Sequence, residues 1–154
     1  MQKNVLEYLE NSAKLYPKKV AFIDEKNSYT FLEIKTLSQK LAVSIKLQLS
    51  TFNSPIAIFV DRNVDSLIGF FGILYSGNYY VPIDNKMPSS RIKNILDRLN
   101  PALIIYQAQD EAIIKEFNKY NSLKLDIQNL DKEINEKLIK ENLAKILDID
   151  PAYV

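Results

Sequence analysis

The sequence predicts an α/β fold: a largely parallel sheet with helices on both faces. Three observations carry this. Short apolar runs at residues 55–60, 79–83 and 102–106 alternate with stretches whose apolar residues recur at helical spacing. The first run is apolar almost throughout, as a strand covered on both faces must be. The 154 residues, 47% hydrophobic and 25% charged, have a globular composition and suffice for a core of their own.

Taken in order, Val5, Leu9, Ala13 and Tyr16 predict one face of an opening helix, which Pro17 stops. Residues 20–23 read as a strand, and Asp24, Glu25, Lys26 and Asn27 as the turn after it. Thr30 and Glu33 have capping-box spacing: the Thr30 hydroxyl can accept the Glu33 N–H while the Glu33 carboxylate reaches back. The helix that follows carries Ile34, Leu37, Leu41 and Ile45 inward. After the 55–60 strand, Asp61 and Asn63 are candidate caps for a helix with Val64, Leu67, Ile68, Phe71 and Leu74 inward, and Gly77 breaks it. Beyond the 79–83 strand, Ser89 or Ser90 caps a helix with Ile92, Ile95, Leu96 and Leu99 on one face, which Asn100 and Pro101 end. Ile113, Phe117 and Tyr120 fit a further helix, and residues 123–127 a strand. From Leu130 the stripe Leu130, Ile134, Leu138 changes phase at Ile139. The pairs Glu133–Lys137, Glu136–Lys140 and Glu141–Lys145 therefore support short helical pieces rather than one long helix. No repeat, Gly/Ser linker or domain boundary is visible, so residues 1–154 read as a single α/β lobe.

Composition excludes several function classes. Twenty basic against nineteen acidic side chains give a formal charge of +1, which argues against a nucleic-acid or anionic-membrane surface. Without cysteine there is no disulfide or thiol nucleophile; without histidine there is no Ser-His relay and no imidazole ligand for zinc. No apolar run reaches membrane-spanning length, and Glu7 and Glu10 interrupt the N-terminal pattern in a way no secretory signal tolerates. The expected location is the cytoplasm.

A few residues merit weighing as sites. Asp61 and Asp65, four apart at a helix start, could offer oxygen to a metal. The competing reading, a cap and favourable negative charge at a helix N-terminus, asks for nothing outside the chain and is preferred. Asp84 ends a strand, where α/β folds place ligand contacts; equally it can cap backbone N–H groups in a turn. Arg91 and Lys93 could meet an anion or form the solvated face of an amphipathic helix. Tyr79 and Tyr80 alternate across a strand, one toward the core and the other under a helix. The only glycines are Gly69, Gly72 and Gly77. The first two lie within a predicted helix, where close helix–sheet packing is their expected role, and Gly77 is a helix stop. No catalytic, cofactor-binding or metal-binding residue is assigned.

Three stretches, in this order, carry a family resemblance. Tyr29-Thr30-Phe31-Leu32-Glu33-Ile34 is similar to Leu-Thr-Tyr-x-Glu-Leu. Residues 74–84, Leu-Tyr-Ser-Gly-Asn-Tyr-Tyr-Val-Pro-Ile-Asp, are similar to Lys-Ala-Gly-x-x-Tyr-Val-Pro-Ile-Asp. Asp84, Pro88, Arg91 and Ile92 form the Asp-x-x-x-Pro-x-x-Arg-Ile that follows it. Together they resemble the N-terminal part of adenylate-forming (AMP-binding) enzymes. Val81-Pro82-Ile83-Asp84 is closer to the amino-acid-activating branch than to acyl-CoA synthetases. That branch comprises peptide synthetase adenylation domains and D-alanine–carrier protein ligases. The chain departs from the pattern at Tyr75 and Ser76, where Lys-Ala is usual, and at Asn78, where a small residue is usual.

The resemblance implies a parent enzyme that joins an amino acid to ATP, with magnesium, releasing pyrophosphate. It then passes the aminoacyl group to the phosphopantetheine thiol of a carrier protein. Residues 150–154, Asp-Pro-Ala-Tyr-Val, resemble the approach to the family's Thr-Ser-Gly-Ser-Thr-Gly phosphate loop, and the catalytic segments lie beyond it. The expectation is a lobe truncated just before that loop, inactive alone and holding no cofactor. Its partners would be the remainder of its own domain and a carrier protein, with self-association through the exposed cut face. Its start at Met1 favours a free-standing ligase or an engineered cut over a synthetase module. Two alternatives stand beside it: a non-catalytic binding module that keeps the lobe, and a small flavodoxin-like nucleotide-binding domain, which the missing glycine-rich turn disfavours.

Overall fold

The computed structural model describes residues 5–130. The element order is α1 (Val5–Leu15), β1 (Val20–Ile23), β2 (Ser28–Thr30), α2 (Phe31–Gln48), β3 (Pro55–Val60), α3 (Val64–Tyr75), β4 (Tyr79–Asp84), α4 (Ser89–Leu99), β5 (Leu103–Tyr106), α5 (Glu111–Ile114) and β6 (Ser122–Lys124). β4, β3, β5 and β6 form, in that spatial order, a fully parallel sheet, while β1 and β2 pair as a separate antiparallel hairpin. The chain thus passes from β3 outward to β4, then crosses back over β3 to β5.

Alternation along the strands divides the core into two layers. Ile56 and Ile58 of β3 and Leu103 and Ile105 of β5 pack against Leu41 and Ile45 of α2 and Ile73 of α3. Ala57, Phe59, Ile83 and Ile104 face the other way, onto Ile92 and Leu96 of α4 and Phe117. Helices on both faces of a parallel sheet are the architecture the sequence predicts. A third cluster joins Leu6 and Leu9 of α1 to Ile34 and Ala42 of α2 and Val64, Ile68 and Leu74 of α3, with Ala21, Phe22 and Tyr29 of the hairpin against it.

Two glycines make the approach of these layers possible. A Cβ on Gly69 would stand 2.3 Å from Ile58 Cδ1, so α3 lies hard against β3 there. Gly72 faces α2 instead of the sheet, since its Cβ would meet Leu41 at 2.5 Å. Gly77 ends α3 at φ +83°, the left-handed region, with the Phe52 ring filling the place of a side chain. Asn100 closes α4 at φ 48°.

The sheet edge at β4 is blunted. The Tyr79 N–H donates to Ser54 O across the β3 side, so alternation turns Pro82, which has no N–H, toward the open edge. Tyr79 and Tyr80 are both half-buried, and Tyr80 stacks on Phe70 of α3 with centroids 4.4 Å apart.

The capping box forms as predicted: Glu33 N–H donates to Thr30 Oγ1 at 3.2 Å, and Thr30 N–H to Glu33 Oε2 at 2.7 Å. Several other expectations change. The buried stripe of α1 is Leu6, Leu9 and Ala13, whereas Val5 and Tyr16 face solvent. Leu67 and Phe71 are only half-buried, and Ile73 and Tyr75 take the innermost places on α3, because α3 is sandwiched between α2 and the sheet. Pro88, not a serine, stands at the N-cap of α4, where no side chain caps the helix. The Ile113–Tyr120 stretch is the short α5 followed by a 3₁₀ turn, and β6 is shorter and earlier than residues 123–127. The pattern from Ile134 onward, its charge pairs and residues 150–154 lie outside the described residues.

The residues that depart from the family pattern are mutually accommodated. The Tyr75 hydroxyl donates to Glu10 Oε1 at 2.5 Å, Gln39 Nε2 donates to the same oxygen at 3.3 Å, and Lys35 Nζ lies 3.0 Å from Oε2. One carboxylate of α1 therefore pins α2 and α3, and burial first, then Glu10, pushes the Tyr75 hydroxyl far above its usual range. Ser76 Oγ donates to Ile73 O and accepts from Asn78 Nδ2, whose Oδ1 takes the Ser54 N–H at 3.0 Å.

Candidate functional site

The carboxyl ends of β3, β4 and β5 open onto a polar crevice of about 740 Å³. After β3 the chain turns into α3 on one face of the sheet; after β5 it turns into α5 on the other. Neighbouring strands that diverge this way leave a gap between their loops, the usual ligand position in open α/β sheets.

Its walls follow from local sequence. Asn63 is the N-cap of α3, its Oδ1 accepting the Ser66 N–H at 3.0 Å. The same Asn63 side chain exchanges hydrogen bonds with Gln107, the first residue after β5: Asn63 Nδ2 donates to Gln107 Oε1 at 2.9 Å, and Gln107 Nε2 to Asn63 Oδ1 at 3.3 Å. Gln107 Nε2 also reaches Ser66 Oγ at 3.2 Å, and the Gln107 N–H donates to Asp110 at 3.0 Å. Asp110, 1% exposed, accepts from Asn85 Nδ2 at 2.8 Å. A chain of buried and half-buried polar groups thus ties the ends of β3, β4 and β5 together beside the crevice. Each member has a partner, as burial demands.

The hairpin supplies the remaining wall. Asp24 Oδ2 accepts the Val64 N–H, the first of α3, at 2.7 Å; Oδ1 accepts the N–H groups of Lys26 and Asn27, each at 2.8 Å. These donors, Val64 foremost, hold the Asp24 carboxyl below its usual range. The Tyr29 hydroxyl donates to Asp65 at 3.2 Å. Burial first, then Asp65, pushes Tyr29 up to about 12; burial, aided by the Asp24 charge and opposed by the Tyr29 hydrogen bond, pushes Asp65 up.

The weighed residues fall into place. Asp61 accepts the N–H of Arg62 at 2.8 Å, Asp65 accepts the Tyr29 hydroxyl of the hairpin, and of the two candidate caps of α3 it is Asn63, not Asp61, that caps the helix. No group of His, Cys, Asp and Glu placed to hold a metal occurs among the described residues. Asp84 accepts the Lys86 N–H at 2.9 Å, the turn geometry that was one of its two readings. Arg91 and Lys93 lie on the exposed side of α4, with Lys93 paired to Asp97. Sequence reasoning passed over Asp24, Asn85, Gln107 and Asp110. The available signal was Gln107-x-x-Asp110, a capping-box spacing directly after a strand.

Chemically, the crevice is lined by amides and carboxylates, several of them committed to backbone and to one another, and by the cationic side chains of Lys26, Arg62 and Lys86. The first donors of α3 are already taken by Asp24 and Asn63, so that helix end offers no free phosphate cradle.

This geometry belongs to a known class. Residues 9–152 match the family of AMP-binding enzymes. Gramicidin S synthase 2 of Brevibacillus brevis is 30% identical over 127 residues, 82% of this chain and 3% of that protein. Zwittermicin A synthase ZmaJ of Bacillus cereus is 33% identical over 115 residues, 75% of this chain and 21% of that protein. Among solved structures, the N-terminal subdomain of Klebsiella oxytoca NpsA superposes with a TM-score of 0.78 at 19% identity, covering 99% of this chain and 37% of the other. NpsA-ThdA, an artificially fused adenylation-PCP di-domain from the same organism, superposes with a TM-score of 0.75 at 18% identity, covering 98% and 28%. The chain belongs to the AMP-binding enzyme family, with the fold of the N-terminal subdomain of a peptide synthetase adenylation domain. It spans only a small part of the curated relatives it matches.

Proposed function

We propose that this chain is the N-terminal lobe of an ATP-dependent amino-acid ligase. The parent reaction joins the amino-acid carboxylate to the α-phosphorus of ATP, releases pyrophosphate, and transfers the aminoacyl group to a carrier-protein phosphopantetheine thiol. The observation that carries this reading is the family match across residues 9–152, reinforced by relatives that are peptide synthases. A carrier-protein partner is supported by the likeness to an adenylation domain fused to one. The reading puts the reaction in the cytoplasm, with ATP; no helix among the described residues is long and apolar enough to cross a membrane.

ATP and magnesium belong to the parent, not to this lobe. Among the described residues the leading N–H groups of α3, those of Val64 and Ser66, are taken by Asp24 and Asn63. The lobe's own contribution is architectural: a sheet whose carboxyl ends are locked by Asn63, Gln107, Asp110 and Asn85, against which the catalytic segments can be built.

The test is amino-acid-dependent exchange of labelled pyrophosphate into ATP. The pure chain should show none with any amino acid, whereas a protein extended through the phosphate loop and the catalytic segments beyond it should exchange with one or a few. Exchange by the 154-residue chain alone would contradict the assignment of all catalysis to later segments. A reading frame that stops at Val154 and yields a specific pull-down partner would favour a binding module instead.

A further inference from the structure

The β1–β2 hairpin is bordered by open space on three sides. None of residues 20–30 is fully buried, whereas Ile56, Ala57, Ile58 and Phe59 of β3 all are. The turn from Asp24 to Asn27 walls the 740 Å³ crevice. A groove of about 410 Å³ lies between Phe22 and Ile23 on one side and Leu67 and Phe70 of α3 on the other. A third hollow, of about 260 Å³, lies between Tyr29 and residues 124–128.

The hairpin is held firmly at its base and lightly toward its tip. At the base, the Phe31 N–H donates to Lys19 O at 3.0 Å and the Leu32 N–H to Pro17 O at 3.2 Å, so the chain entering β1 is tied to the start of α2. Farther along, Ala21, Phe22 and Tyr29 pack, only partly buried, against the cluster of α1, α2 and α3. Toward the tip each strand contributes one clasp. Asp24, just past β1, accepts the Val64 N–H at 2.7 Å, and Tyr29 of β2 donates to Asp65 at 3.2 Å. Both clasps land on neighbouring residues in the first turn of α3. An element fixed at one end, with few buried contacts and two hydrogen bonds at the other, opens at a lower free energy than the whole molecule.

We propose that the β1–β2 hairpin is a flap hinged where it joins α2, with Asp24 and Tyr29 acting together as its latch on α3. Opening joins the three cavities into one mouth at the carboxyl ends of the strands, so the latch sets the width of the crevice. The two clasps release as a unit, because the antiparallel pairing of β1 and β2 carries both side chains on one frame. This inference does not rest on the adenylation reading and can fail without it.

Val64 supplies the reporter: its N–H is held by the flap, whereas the Ser66 N–H is held by Asn63, the cap of α3 itself. Native-state hydrogen exchange of the full chain, read by NMR at rising urea, tests the flap. The Val64 amide should exchange with a urea dependence well below that of the β3 amides. Tyr29→Phe leaves the Asp24–Val64 bond untouched, yet it should speed Val64 exchange about fivefold, the ratio one ordinary hydrogen bond carries. Three results would each overturn the proposal. Val64 exchange unmoved by Tyr29→Phe would make the two clasps independent. A Val64 urea dependence equal to that of β3 would leave no opening short of unfolding. Ser66 sharing both the low urea dependence and the acceleration of Val64 would mean that α3 frays while the hairpin stays in place.

Discussion

Asp24 shows how one side chain can serve a turn and a distant helix together. It closes the hairpin turn through Lys26 and Asn27 and caps α3 through Val64. Its depressed pKa means that the folded state keeps this carboxyl ionised more readily than the unfolded chain does. The stability it contributes is full above the ordinary value of 3.8 and is lost as the pH falls through the lower folded value. Melting curves taken at successively lower pH should therefore fall less steeply for Asp24→Asn than for the wild type, from a lower starting point at neutral pH. Tyr29 works at the other end of the scale. Its folded pKa of about 12 lies above the usual 10, so the stability it contributes is complete below pH 10 and disappears as the pH rises toward 12. Tyr29→Phe should remove that component of the alkaline loss, and the ultraviolet tyrosinate titration should lose one late-titrating phenol. At Gly77, φ +83° and the Phe52 ring together leave no room for a methyl group. Gly77→Ala should cost about 1–3 kcal/mol in urea unfolding.

At the scale of elements, three helices meet on Glu10. Removing the Tyr75 hydroxyl still leaves Glu10 with Gln39 and Lys35, so Tyr75→Phe should cost about 1 kcal/mol. Glu10→Ala leaves the buried Tyr75 phenol with Gln39 in place of a carboxylate acceptor and should cost about 1–3 kcal/mol. A double-mutant cycle between the two should give a coupling of about 1 kcal/mol or more; additivity would mean that the short hydrogen bond contributes nothing to stability. Much at this scale was legible in advance. The Thr30–Glu33 box, the Asn63 cap and the stop at Gly77 are local, set by residues within a turn of each other, and each formed where the sequence placed it. The phase of α1 was not legible, because Val5, Leu6, Leu9, Leu15 and Tyr16 allow two stripes, and only the docking of α2 and α3 selects the one with Leu6. The short α5 was missed for a related reason: apolar spacing of three and four fits a 3₁₀ turn nearly as well as a helix.

For the whole molecule, β3 at the centre of the sheet holds both core layers. Ile58 is 1% exposed and touches α3 at Gly69, so Ile58→Ala should cost about 2–5 kcal/mol. Amide exchange should rank β3 and β5 as the slowest segments and the separate β1–β2 hairpin as faster, since the hairpin shares no strand with the main sheet. Equal protection of the two would mean that the hairpin and sheet open as one unit. The polar belt of Asn63, Gln107, Asp110 and Asn85 belongs to this scale as well, because its members come from three different strand ends and meet only when the sheet is assembled.

Sequence alone determined the class of fold, the order of most elements and the family. These rest on periodicity, on caps and stops a few residues long, and on a signature contained within residues 74–84. Tertiary structure alone decided the strand order β4-β3-β5-β6, the separate hairpin and the partners of the buried polar groups. Asp24 and Val64 lie forty residues apart, Glu10 and Tyr75 sixty-five. Such contacts leave no periodic trace in the chain, because they depend on which surfaces the packed helices bring together rather than on spacing along the backbone.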